Sequence, residues 1–128
     1  MSWVTLCEEK VLPTNRGVAA WFCGRAIALF NLGDKGIFAV DNIDPATGVS
    51  VLSRGLLCEL NNELYVSSPL HKQHYHLQSG KCFENSELNV NCFEVKKYQG
   101  KVMVRKNKPK IVQDSRPTDT KSALSKEA

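Results

Sequence analysis

The 128-residue chain is 42% hydrophobic and 23% charged, which suits one soluble globular domain long enough to bury one core. No apolar stretch approaches the length of a membrane-spanning helix. Residues 1–10 lack a basic segment followed by an apolar run, so the expectation is a cytoplasmic protein without a signal peptide. The net charge of +4 does not mark a nucleic-acid reader: residues 105–128 hold seven basic and three acidic groups, the whole surplus, while residues 1–104 balance at ten of each.

The elements read, in chain order, as short strands separated by turn signals. Residues 4–7 form a first apolar run and residues 12–17 a loop. Residues 18–23 and 25–32 are two β-rich runs, with Gly24 between them as a bend or bulge. Gly33-Asp34-Lys35-Gly36 turns the chain into residues 37–40, a hairpin. Residues 41–55 contain Pro45, Gly48 and Gly55 with little periodicity, and read as a long loop of the kind that carries function. Residues 56–60 and 63–66 flank Asn61-Asn62, a pair suited to a type I′ turn because asparagine tolerates positive φ. Residues 92–96 and 101–105 alternate, and Tyr98-Gln99-Gly100 joins them. Helical periodicity is scarce and no internal repeat is present, so the spacing predicts an all-β sandwich or barrel. From residue 107 the chain turns polar and charged and includes Pro109 and Pro117. The expectation is a folded domain over 1–106 and a basic disordered tail over 107–128.

Chemistry-bearing residues concentrate in one segment. His71, His74 and His76 are the only histidines, and on an extended strand His74 and His76 share a face. Three clustered imidazoles suggest a metal, with Asp44 as a fourth ligand from the other loop. The plainer reading is surface or turn histidines. The five cysteines form no C-x-x-C pair and sit mostly in apolar runs, so they read as reduced, buried thiols. Cys82 is either a thiol activated by Lys81 or a strand start packed in the core. Arg54 is either an anion or partner contact or an ordinary exposed arginine. Asp44, before Pro45, needs no more than a turn role. No P-loop, dinucleotide fingerprint, nucleophile elbow or H-E-x-x-H motif is present.

Two loops carry a resemblance. The first reads Asp41-Asn42-Ile43-Asp44-Pro45-Ala46-Thr47-Gly48. The second runs from Ser67-Ser68-Pro69-Leu70-His71-Lys72-Gln73-His74-Tyr75-His76 to Ser79-Gly80-Lys81-Cys82. They resemble the C-P-H-x-G and C-P-x-H-G cluster loops of Rieske ferredoxins, whose [2Fe–2S] centre takes two thiolates on one iron and two imidazoles on the other. The resemblance places Asp44, Ala46 and Ser68 at three ligand positions, and only His71 keeps a ligand type. Asp-Pro-x-x-Gly, then Leu52-Ser53-Arg54-Gly55, then the string from Ser68 to His74, is similar to the small subunit of the NADH-dependent assimilatory nitrite reductase. That resemblance covers most of residues 4–104. It implies an all-β Rieske-like fold without a cluster and a non-catalytic subunit with no cofactor of its own. It implies a large-subunit partner that carries flavin, iron–sulfur and sirohaem groups and reduces nitrite to ammonia with NADH or NADPH. It makes the two loops the docking surface, with Arg54, His71, Lys72, Gln73, His74 and Tyr75 as contacts, and no nucleic-acid or membrane partner. The alternatives are a Rieske-type electron carrier and a free-standing binding module.

Overall fold

The fold is that of a computed structural model, which describes residues 3–70 and 72–106. His71 and the expected tail over 107–128 lie outside the described residues. The chain is all-β and, by its strand order, barrel-like. One six-stranded antiparallel sheet contains β1 (Val4–Glu8), β11 (Lys101–Lys106), β10 (Cys92–Tyr98), β4 (Ile37–Asp41), β3 (Arg25–Asn31) and β2 (Gly17–Phe22), in that spatial order. A smaller antiparallel sheet is formed by β7 (Leu56–Leu60), β8 (Glu63–Ser67) and β9 (His74–His76).

The run Ala26-Ile27-Ala28-Leu29-Phe30 shows why β3, between β4 and β2, is buried on both faces. A strand covered on one face alternates apolar and polar residues, whereas this one is apolar throughout. Successive side chains point to opposite faces. Ala28 and Phe30 therefore enter a cluster with Val40, Leu52, Val66, Tyr75 and Leu77, which joins the two sheets. Ile27 and Leu29, on the opposite face of β3, enter a second cluster with Phe22, Ala39, Phe93, Val102 and Val104, all residues of the large sheet.

The turns follow their residues. Asn61 (φ 53°) and Asn62 (φ 65°) both adopt the left-handed conformation that the hairpin requires. Gln99 (φ 51°) and Gly100 (φ 76°) do the same between β10 and β11. Cys23 and Gly24 differ from expectation. They do not bulge one strand but close a two-residue hairpin, with φ of 53° and 81° and Phe22 paired to Arg25. This turn carries Cys23 into solvent, so it is not the buried thiol that its apolar neighbours suggest.

The long loop over 41–55 is also more ordered than expected. It contains a short hairpin of β5 (Ile43–Asp44) and β6 (Val49–Ser50), followed by a 3₁₀ turn at Leu52–Arg54. Low periodicity hides such structure, because strands of two residues carry no pattern. Two glycines seat this turn. A Cβ on Gly17 would lie 2.2 Å from the Ser53 carbonyl oxygen, and one on Gly55 would lie 2.4 Å from that of Ser67.

Gly80 supplies a stability test. Its φ is +81°, and a Cβ there would sit 2.0 Å from the Val90 carbonyl oxygen. Gly24 has the same φ but open space around it. Gly24→Ala should cost about 1–2 kcal/mol from backbone strain alone. Gly80→Ala should cost at least about 2 kcal/mol more, because backbone must move. Urea unfolding of both variants checks this, and equal midpoints would contradict the packing described.

Candidate functional site

The first loop is organised by Asn42, which is 4% exposed. Its carbonyl accepts the N–H groups of Val51 and Leu52, each at 2.9 Å. Its side-chain oxygen accepts Ser53 N–H at 2.6 Å, and its amide nitrogen donates to Ser50 Oγ at 2.8 Å. One buried side chain thus holds the 3₁₀ turn against the end of β4. Sequence reading passed over Asn42. The available signal was an asparagine between a strand end and an Asp-Pro turn, a position where its amide competes well for backbone groups.

Two residues on, Asp44 is fully buried. Its Oδ1 accepts Ala46 N–H at 2.9 Å, and its carbonyl accepts Thr47 and Gly48 N–H at 3.1 and 2.7 Å, which is the turn role expected of it. The carboxylate does more. Ser68 Oγ–H donates to Oδ2 at 2.5 Å and the Tyr75 hydroxyl donates to Oδ1 at 2.8 Å. Ser68 and Tyr75 are 1% and 0% exposed. Ser68 also shapes its own loop: Oγ accepts Leu70 N–H at 3.2 Å and its carbonyl accepts Lys72 N–H at 3.0 Å. Asp44 therefore ties the first loop, the second loop and β9 together. Burial first, then the hydrogen bond and charge of Asp44, raise the Tyr75 phenol far above its ordinary range, so the hydroxyl is a permanent donor.

The residues matched to cluster ligands do not fit a Rieske centre. A carboxylate, a methyl group and a hydroxyl stand at Asp44, Ala46 and Ser68, and the carboxylate and hydroxyl are engaged with each other. The burial of Tyr75 also corrects its expected role as a partner contact. Its ring fills the core and its hydroxyl is committed to Asp44, so no part of it reaches the surface.

The other expected contacts separate by environment. Arg54 and Lys72 are exposed, and neither side chain has a polar partner among the described residues. Gln73 is half-buried, with a buried Oε1 that lacks a hydrogen-bond donor. His74 and His76 do share a face of β9, but each ring meets a carboxylate at 2.5 Å: Glu84 for His74 and Glu63 for His76. Among the described residues no set of three metal-ligating side chains converges. The Glu84 carboxyl is opposed by burial, yet the backbone N–H and ring of His74 outweigh that and hold it below the usual range. Cys82 packs in the core beside Tyr75, in line with the plainer of its two readings. Burial pushes the Cys7 and Cys58 thiols up, and burial with the nearby Asp41 pushes Cys92 up to about 11, so these three are poor nucleophiles at neutral pH.

Comparison with known proteins agrees with this geometry. Residues 2–105 match the family model described as a Rieske-like [2Fe-2S] domain. The chain is 38% identical over 105 residues to the nitrite reductase (NADH) small subunit of Salmonella typhimurium, covering 80% of this chain and 96% of that one. The chain belongs to the nitrite reductase small-subunit family of Rieske-like domains. A solved structure from Escherichia coli shares 35% identity with a TM-score of 0.75, over 84% of this chain and 98% of that one. A further relative is the nitrite reductase [NAD(P)H] large subunit of Klebsiella oxytoca, 39% identical over 102 residues. That match takes in 80% of this chain but only 11% of the Klebsiella polypeptide.

The Asp44 network makes a stability prediction with a definite sign. Tyr75→Phe leaves a buried carboxylate oxygen short of a donor and should cost about 1–3 kcal/mol, as should Ser68→Ala. The double variant should cost less than the sum, since both act on one carboxylate. The raised phenol pKa means its contribution is complete below the unfolded-state value, about 10, and declines above it as the unfolded chain ionises. The gap between wild type and Tyr75→Phe should therefore be constant near neutrality and narrow above about pH 10. Guanidinium titrations across that range check it, and a gap that widens would reverse the assignment.

Proposed function

We propose that this chain is the small accessory subunit of an NAD(P)H-dependent nitrite reductase. On this reading it holds no cofactor and supports a large subunit whose flavin, iron–sulfur and sirohaem groups take nitrite to ammonia. The observation that carries the reading is the Klebsiella match. A segment similar to most of this chain lies inside a polypeptide named as the large subunit, while in Salmonella its counterpart is a separate small subunit. A domain found both joined to and apart from the same partner is placed to act on that partner at high effective concentration.

The site supports a binding role over an electron-carrying one. Two thiolates and two imidazoles are the usual Rieske ligands, and Asp44, Ala46 and Ser68 supply none of them. The Asp44–Ser68–Tyr75 network makes a rigid base for the two loops, and rigidly held loops are common binding surfaces. On this reading the docking edge comprises Arg54, Lys72, Gln73 and His74, together with His71 from outside the described residues. The complex is cytoplasmic. No helix among the described residues is long and apolar enough to cross a membrane.

Co-expression of the chain with the large subunit of its own enzyme tests the proposal. The two should co-elute from a sizing column, and Arg54→Ala or Gln73→Ala/His74→Ala should weaken the complex by roughly tenfold if they are hot spots. The chain purified alone under anaerobic conditions should be colourless. Stoichiometric iron and acid-labile sulfide in that preparation would remove the accessory reading and favour an electron carrier.

A further inference from the structure

The charges of the described residues are unevenly paired. Seven of their ten carboxylates lie in ion pairs: Glu8, Glu9, Asp41, Glu59, Glu63, Glu84 and Glu94. Asp44 is enclosed by its donors. Only Asp34 and Glu87 remain exposed and without such a partner. The cations are in excess, because five of the ion pairs use a lysine or arginine and two use histidine. Arg16, Arg54 and Lys72 are among those left exposed with no carboxylate in reach.

These three are distant in sequence but brought together by close backbone approaches. Gly17 abuts the Ser53 carbonyl, so the backbone at residues 16–17 lies against that at 53–54. Gly55 abuts the Ser67 carbonyl, so the backbone at residues 54–55 lies against the start of the second loop. Within that loop Lys72 N–H bonds the Ser68 carbonyl, and Leu70 stands 47% exposed between them. No acid of the described chain neutralises this edge. Adjoining segments thus supply two exposed arginines, an exposed lysine and an exposed leucine, and arginine is enriched at hot spots.

We infer that Arg16, Arg54 and Lys72 form a single cationic docking edge, and that its partner is a carboxylate-rich surface on the large subunit. This rests on the accessory reading and adds to it a third element of the fold, the turn into β2, and a stated chemistry for the partner. Opposed charges of this kind act mainly on the rate of encounter, which rises with attraction and falls with salt.

The test is association kinetics with the purified large subunit at low and at physiological ionic strength. Arg16→Glu, Arg54→Glu and Lys72→Glu should each lower the association rate about tenfold at low salt, change dissociation less, and flatten the salt dependence. Lys106→Glu, on β11 four strands away across the large sheet, should leave all three quantities unchanged. Far-UV dichroism confirms that each variant is folded. Equal rates for wild type and the Arg16→Glu/Arg54→Glu double variant, or an equal effect of Lys106→Glu, would falsify the inference. If wild type does not bind the large subunit at all, the accessory reading fails, and the edge is judged by a separate probe. Poly-glutamate added to the full chain should then shift amide resonances of residues 16–17, 53–55 and 72–73; shifts spread over all lysines overturn it.

Discussion

The carboxylate of Asp44 is the constraint on which the site depends. It is buried beyond solvent and accepts hydrogen bonds from the hydroxyls of Ser68 and Tyr75 and from the backbone of Ala46. A charge in such a place is tolerable only when its acceptor sites are met, and removing one donor costs more than a typical hydrogen bond contributes. The same three groups belong to the first loop, the second loop and the small sheet. Their mutual dependence therefore fixes the positions of separate chain segments relative to one another.

The two loops matched to the Rieske cluster loops are joined here by a hydrogen bond between side chains. In a Rieske centre the two loops are clamped by bonds to iron. Here a carboxylate–hydroxyl pair joins the same two loops, and a tyrosine from β9 supports it from within the core. Asn42 performs the matching task one layer away, where it closes the 3₁₀ turn of Leu52–Arg54. Among the described residues of these loops, Arg54 and Lys72 are exposed, while the Gln73 Oε1 is buried without a donor.

The charge pattern follows from the same organisation. Carboxylates on strand faces find partners across neighbouring strands, as Glu94 finds Arg105 and Glu63 finds His76. Lys10 and Lys35, in 3₁₀ turns, also find strand carboxylates, whereas Arg16, Arg54 and Lys72 have none in reach. Exposed pairs add little to stability in any case.

Much of the fold was legible in the sequence. Alternation over 92–105, the unbroken apolar run of β3 and the Asn61-Asn62 turn are local signals, governed by side-chain period and by which residues accept positive φ. The Cys23-Gly24 turn was misread because cysteine is an uncommon left-handed residue, and its apolar neighbours favour a continuous strand. That residues 44, 46 and 68 are Asp, Ala and Ser, and neither Cys nor His, is read from residue identity alone. What only the tertiary structure decided is who meets whom. That Tyr75 points inward to Asp44, 31 residues away, depends on which face of β9 is covered, and residue types do not state that. That residues 16–17 lie against residues 53–54 depends on a glycine admitting a carbonyl oxygen to 2.2 Å of a Cβ position, a contact between segments that share no local pattern. Local chemistry sets the strands and turns; long-range packing chooses the partners of each side chain, because burial and close approach are properties of the assembled layers.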